Sequence, residues 1–386
     1  MKQWLTYSFI FIITFNFTSA AQTKHVVAVI GKEVAELPSL NQTKSLGVAG
    51  PVVGIINDQL VVAGGSNFPD SLPWMGGKKK YYNQVFVFEK KNKQIFSKSI
   101  SFNLPNSIAY AASCKSSQGI VYAGGENENG ISNKVFLLQW DASVNNLITT
   151  PLPDLPAPIT NASMTCIDQT LYLVGGETST TASDGFYRLR LNYSKEGWQA
   201  MPHLPKALSH TVAAFQFVNH TKKLFVIGGR AKQKNGISNF SSATYSFDLE
   251  KSKWTAEQDL PYAISAGTGI AFLNKYILLF GGDKGDQFNK VEKAIANMNL
   301  ESNAIKKKEW MDTKNELLAA HPGFSNEVLL YNTQENKWES QGYSSFNTRV
   351  TTMAVQWGDV IVLPSGEIKA GVRTPKIIAA KIISNE

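Results

Sequence analysis

The sequence predicts an all-β fold, a six-bladed β-propeller whose last blade is closed by an N-terminal strand together with C-terminal strands, carrying one helical insertion. Three observations lead there. Five Gly-Gly pairs, Gly64-Gly65, Gly124-Gly125, Gly175-Gly176, Gly228-Gly229 and Gly281-Gly282, each end a short apolar run. Successive second glycines lie 60, 51, 53 and 53 residues apart, so one supersecondary unit is copied along the chain. A Leu-Pro pair precedes each of them, at Leu37, Leu104, Leu155, Leu204 and Leu260. Each unit then reads as four short β-rich segments separated by Gly, Asn and Asp turns, and four strands per repeat make a propeller blade.

From the N-terminus, Lys2 precedes an apolar stretch from Trp4 to Phe17 and then Thr18-Ser19-Ala20-Ala21. That pattern reads as a secretory signal peptide over residues 1–21, too short to span a bilayer comfortably. Export follows, to the periplasm in a Gram-negative bacterium and otherwise outside the cell, with no membrane attachment after cleavage. The rest, 22–386, is expected to be a single domain. A strand from His25 to Glu36 has no blade before it. Inner strands follow at Ile108 to Cys114, Ile159 to Ile167 and Thr211 to Val218, and second strands run into each Gly-Gly. Third strands carry Phe86, Phe136, Tyr187, Tyr245 and Tyr331, and fourth strands open on Trp198, Trp254 and Trp338. A segment at about 284–325, rich in Ala, Lys, Glu, Asn and Leu, interrupts the fifth repeat and reads as one or two helices. At the end, Arg349 to Trp357, Val360 to Pro364 and Val372 to Ile383 supply three strands lacking a fourth. The orphan N-terminal strand completes them and closes the ring. In that blade Ser365-Gly366 replaces Gly-Gly, and Phe346 stands for Leu-Pro.

Composition narrows the function. The formal charge of +8 suits an anionic ligand but shows no dense basic block of the kind nucleic-acid arms use. Cys114 and Cys166, at nearly the same point of adjacent repeats, read as small buried apolar residues rather than a disulfide. The five histidines lack ligand-like spacing, and no Gly-x-Ser-x-Gly, P-loop or dinucleotide fingerprint occurs, so neither metal nor cofactor is expected.

In a four-stranded blade the second strand ends on the face where the first begins. The residues after each Gly-Gly, namely Ser66, Glu126, Glu177, Arg230, Asp283 and Glu367, therefore ring one mouth of the channel with Asn67 and with the residues opening the inner strands, Tyr110, Asn161, His210 and Arg349. Functional residues on rigid β scaffolds concentrate on such loops. The helical insertion, leaving after Asp283, emerges on this face as a candidate lid. Carboxylates and arginines at a mouth suit acid-base work on an anion.

The segment Gly366-Glu367-Ile368-Lys369-Ala370-Gly371-Val372-Arg373-Thr374 resembles the Gly-Glu-x-Lys-x-Gly-x-Arg-Thr stretch of the bacterial N-acetylneuraminate epimerases, or sialic acid mutarotases, which are six-bladed kelch propellers. Gly47-Val48-Ala49-Gly50, the Gly77-Lys78-Lys79-Lys80-Tyr81 loop and the helical insertion extend the likeness over nearly the whole chain after the leader, in circularly permuted order. The resemblance implies a cofactor-free interconversion of α and β anomers of N-acetylneuraminate, with Glu367 as catalytic base and Arg373 binding the anionic sugar. Beside Tyr110 the arginine expected from the family is missing, so Arg349 or Arg230 is expected to complete a pocket that Asn67, Glu126, Glu177, His210 and Tyr110 also line. A kelch-type module that binds a glycan or protein without turnover is the alternative, since propellers host many functions. A sialidase or a copper radical oxidase is not supported: the sialidase boxes and paired histidines are absent from the sequence.

Overall fold

A computed structural model of the chain describes residues 26–39, 43–92, 94–98 and 102–384; the expected leader, 1–21, lies outside them. Among the described residues, six four-stranded antiparallel sheets follow one another as the blades of a propeller. The first uses Val52–Ile56, Gln59–Ala63, Val85–Lys91 and Gln94–Lys98 in chain order. The next four start from the inner strands Ala112–Lys115, Ser163–Ile167, Val212–Val218 and Thr268–Phe272. The sixth joins Val355–Trp357, Val360–Pro364 and Lys376–Ser384 to the N-terminal strand Val26–Glu36, which pairs antiparallel from Val26 opposite Ser384 to Glu36 opposite Lys376 with register shifts between Val26 and Ala28 and between Glu33 and Ala35.

The core lies between blades rather than within them. One apolar cluster takes Ala112, Val121 and Leu137 from one blade and Met164, Leu171 and Leu189 from the next, with the free thiols of Cys114 and Cys166 among them. The leucines of the Leu-Pro pairs are all buried, as is Phe346 in their place in the last blade. Trp198 and Trp254 staple neighbours together, their Nε1–H groups donating to Pro153 O and Pro202 O at 2.9 and 2.8 Å.

The first glycine of each pair sits where blades touch. Gly124 has φ +66°, and a Cβ there would lie 2.3 Å from Ile159 O of the next blade, so no larger residue fits without moving backbone. Ser365 takes this position in the sixth blade at φ +54°, and its hydroxyl lies 2.8 Å from Val48 N and 2.9 Å from Thr374 O, tying the last blade to the first.

Two expectations shift. The inner strands start at Ala112, Ser163, Val212 and Val355, later than the apolar runs predict, because Tyr110, Asn161, His210 and Thr351 adopt positive φ and break the strand. Val372–Arg373 does not begin the third strand of the last blade. It pairs with Glu367–Lys369 as a separate hairpin, and the strand resumes after Pro375, which has no N–H for the ladder. The insertion folds as α1, Asp286–Leu300, and α2, Ala304–Ala319, the latter capped by Asn303 Oδ1 accepting from Ile305 N and Lys306 N.

Candidate functional site

The break in each inner strand builds a belt. Gly50, Tyr110, Asn161, His210, Ala266 and Thr351, one from each blade, all have φ between +53° and +65°. Each N–H donates to the carbonyl of the belt residue in the preceding blade, over 2.7–3.2 Å, and Gly50 N to Thr351 O closes the circle. Just before each belt residue, the chain pairs antiparallel with the residue after its own Gly-Gly: Ala49 with Ser66, Ala109 with Glu126, Thr160 with Glu177, Ser209 with Arg230, Ser265 with Asp283 and Val350 with Glu367. The six residues predicted to ring the mouth therefore stand as a collar outside the belt.

Deeper in the channel, a cavity of about 140 Å³ is lined by the belt and by small residues of the inner strands. Ligand pockets usually run from roughly 300 Å³ upward. Glu367 and Arg373 do not line this cavity, and Tyr110 and His210 do.

Two polar walls face that mouth. On the first, the turn from Glu367–Lys369 to Val372–Arg373 sets Arg373 NH1 3.2 Å from Glu367 Oε1, with side chains 4% and 14% exposed. Glu367 Oε1 also accepts from Gly371 N. The guanidinium of Arg373 lies 4.8 Å over the Phe68 ring, and its NH2 donates to the Tyr110 hydroxyl at 3.5 Å. Its Nε and NH1 are buried without an aligned hydrogen-bond acceptor among the described residues; the contact of NH1 with Glu367 is a charge pairing. Tyr110 also receives a hydrogen bond from Ser66 Oγ at 3.2 Å. Lys79 reaches in over the Tyr110 ring, 5.1 Å away, and pairs with Glu126 at 3.1 Å. Burial alone would lower the Lys79 ammonium, but Tyr110, Glu126 and Tyr81 more than reverse this and hold it above its usual range. Tyr81 donates to the same Glu126 oxygen at 2.8 Å and is pushed up to about 12, first by burial and then by that bond.

On the second wall Arg230 NH2 lies 3.4 Å from His210 Nε2. A guanidinium only donates, so Nε2 accepts and the imidazole proton sits on Nδ1. Nδ1 lies 3.0 Å from Ser209 Oγ, which donates to Glu177 Oε1 at 2.7 Å. Burial, reinforced by Arg230, holds His210 well below its ordinary value, so the imidazole is neutral at pH 7. Asp283 is raised by burial, with Gly285 N–H and Arg230 opposing.

The insertion links the walls. Phe288 of α1 stacks under Arg230, 4.3 Å from its guanidinium carbon, and Glu292 accepts from Ser238 N and Oγ at 2.6 and 3.1 Å. α2 packs against the short Pro73–Met75 turn, and Pro73 in turn lies on Gly371 of the Glu367 hairpin.

Glu367, Arg373, Tyr110, Glu126, Glu177, His210 and Arg230 are thus brought to one mouth. Two predicted members are not. Arg349 is 2% exposed and donates to Leu363 O, Lys376 O and Asn347 O, so its charge is consumed in holding the last blade; burial pulls it down to about 10. Asn67 is also internal, its Nδ2 donating to Gly47 O at 2.8 Å and its Oδ1 accepting from Tyr82 OH at 2.7 Å. The sequence reading quotes the 77–81 loop for its resemblance but does not single out Lys79 from its three lysines as a site residue, and it misses Phe68 and Phe288, whose roles exist only in the folded ring.

The sequence profile of the N-acetylneuraminate epimerase family matches residues 152–386. The chain is 27% identical over 225 residues to the N-acetylneuraminate epimerase of Pasteurella multocida (strain Pm70), covering 58% of this chain and 57% of that protein. It is 26% identical over 237 residues to the N-acetylneuraminate epimerase of Salmonella typhi, covering 60% and 58% respectively. The chain thus spans somewhat over half the length of these curated relatives. A solved structure described as that of YjhT superposes with a TM-score of 0.60 at 12% identity, covering 92% of this chain and 99% of the other, which is a likeness of fold. The profile match takes in the second wall, the insertion and the Glu367 hairpin; Ser66, Lys79 and Tyr110 lie outside it.

Proposed function

The chain belongs to the N-acetylneuraminate epimerase family, and from that premise we propose that it is a sialic acid mutarotase, interconverting the α and β anomers of N-acetylneuraminate at the mouth of the propeller. The observation that carries the reading is Arg373. The charge of this guanidinium is met by Glu367, but its Nε and NH1 have no aligned acceptor, so it keeps hydrogen-bonding capacity that an anionic partner could use. The carboxylate borne by the anomeric carbon of sialic acid is such a partner, planar and able to accept in a fork. Seating it on Arg373 brings the hydroxyl of the same carbon toward Glu367.

The chemistry then needs two proton positions. Glu367 takes the proton of the anomeric hydroxyl, the bond between the anomeric carbon and the ring oxygen breaks, and that oxygen receives a proton, giving the open-chain keto acid. Rotation presents the other face of the carbonyl, the oxygen adds back, and both protons return. For the second position the wall offers the Tyr110 hydroxyl. The surrounding mouth is of mixed charge, with Lys79 paired to Glu126 and Arg230 to Glu177.

The test is proton NMR of freshly dissolved crystalline N-acetylneuraminic acid with wild type, with Glu367→Gln and without protein. Wild type is expected to speed anomer equilibration and Glu367→Gln to match the blank. A wild type no faster than the blank sinks the reading; sugar binding that then persists in Glu367→Gln would favour a non-catalytic binding module.

A further inference from the structure

Arg230 is held from three sides. Its guanidinium carbon lies 4.3 Å from the centre of the Phe288 ring, Phe288 meets Phe240 in a T-shaped contact at 5.6 Å, and Phe240 is the residue paired with Arg230 in the hairpin of Arg230–Lys232 and Ser238–Phe240. Its NH2 donates to His210 Nε2 at 3.4 Å, and its Nε stands 3.9 Å from Glu177 Oε1. Behind these contacts the hydrogen bonds run one way, from Arg230 to His210 Nε2, from His210 Nδ1–H to Ser209 Oγ, and from Ser209 to Glu177 Oε1. That chain occupies one guanidinium N–H and one carboxylate oxygen. NH1 of Arg230 and Oε2 of Glu177 have no hydrogen-bond partner among the described residues, and the two side chains are 16% and 25% exposed. A fixed donor and a fixed acceptor therefore stand side by side, open to the mouth.

Such a pair selects its ligand. A hydroxyl both donates and accepts, so two hydroxyls on neighbouring carbons satisfy both groups together, one donating to Glu177 and the other accepting from Arg230. An acetamido group does not, because the N–H and C=O of a trans amide point in opposite directions. In the ring form of N-acetylneuraminate only the glycerol tail, C7 to C9, carries hydroxyls on neighbouring carbons. Position agrees with this. His210 and Thr351 are next but one in the belt, so at roughly 5 Å a step the blades that carry Arg230 and Glu367 meet the channel about 9 Å apart. That is too far for both walls to hold substituents of one carbon, and the second wall meets a different end of the sugar. We propose that Arg230 and Glu177 form a subsite for vicinal hydroxyls, which takes the glycerol tail while Arg373 and Glu367 hold the anomeric end. The identity of the sugar rests on the mutarotase reading above.

Calorimetry with two sugars decides it. N-acetylneuraminic acid and its seven-carbon analogue, which lacks C8 and C9, are titrated into wild type, Arg230→Gln and Glu177→Gln, with a thermal melt of each protein. Wild type is expected to bind the full sugar on the order of tenfold to a hundredfold more tightly than the analogue, the range for hydrogen bonds to charged groups. Each variant should bind the full sugar about as weakly as wild type binds the analogue, and should lose little more on truncation. Glu177→Gln keeps the shape and an acceptor for Ser209, so it carries the test where Arg230→Gln fails to fold. Equal affinity of wild type for the two sugars overturns the subsite, and so does a wild-type preference that the folded variants retain. Mutarotation separates this result from the catalytic reading. Wild type at saturation should turn over the analogue with kcat near that of the full sugar, since the groups at the anomeric carbon are untouched. If wild type speeds neither sugar, the mutarotase reading falls, while a preference for the tail that the variants lose still establishes the subsite.

Discussion

Arg349 and Arg373 carry the same guanidinium to opposite ends because of what their N–H groups meet. Arg349 is surrounded by carbonyls of its own blade, and only its Nε–H lacks a partner among the described residues. Arg373 has an aromatic face, a tyrosine hydroxyl and a carboxylate around it, with donors left over. The first is a brace, and its loss is expected to show in stability alone. Arg349→Met should cost about 2–3 kcal/mol, because buried carbonyls lose a charged donor. A thermal melt should record the fall, while KM for the sugar in the folded fraction stays put; a raised KM at unchanged Tm would return Arg349 to the binding site. Residue type and local composition do not separate the two arginines; only the resemblance of the 366–374 segment marks Arg373. Each lies near the end of the chain in a polar context, and the difference is created by strands that arrive from residues 14 to 27 positions away.

Elements were more legible than residues where their signal is local. The Gly-Gly and Leu-Pro markers locate second strands and buried anchors because each marks a point where neighbouring backbones nearly touch, a demand that only small or fixed side chains meet. The starts of the inner strands were missed since the belt's positive φ falls on Tyr110, Asn161 and His210, residues that give little sign of it. The path of the insertion was hidden for another reason: its helices are readable, but the surface they cross is assembled from blades far away in sequence. That path has a consequence for binding. Phe288 is where the insertion meets the second wall, and it holds Arg230 by stacking on its guanidinium. Phe288→Ala should release a contact of about 1 kcal/mol. The expected outcome in steady-state kinetics is a KM raised roughly fivefold with kcat close to wild type. A loss confined to kcat would mean that the insertion acts on the chemistry from that end and does not serve to hold Arg230.

At the scale of the whole ring, closure is achieved three times over without a covalent bond. The belt closes from Thr351 to Gly50, Ser365 ties the last blade to Val48, and the N-terminal strand completes the sixth sheet. This architecture was the most legible level, because a repeat with one strand left over at one end and one missing at the other has only one economical closure. The position of the chain ends within the ring is then arbitrary as far as the mouth is concerned. Val26 lies opposite Ser384 just as Asp141 lies opposite Asn146 at the turn of a continuous hairpin in the second blade. Joining Ser384 to Val26 by a short Gly-Ser linker, without residues 1–25 and 385–386, and opening the chain between Val144 and Asn145, in an exposed turn, would exchange a break in the sixth blade for one in the second. Loop closure costs change by little when one short connection replaces another. The permutant is therefore expected to fold, to melt within a few degrees of the parent, and to equilibrate the anomers of N-acetylneuraminate at the parent's rate. The measurement is a thermal melt paired with the NMR assay. A permutant that folds but turns over slowly would mean that the N-terminal strand shapes the mouth through the blade it closes; one that fails to fold would mean that closure by separate termini is needed to assemble the ring.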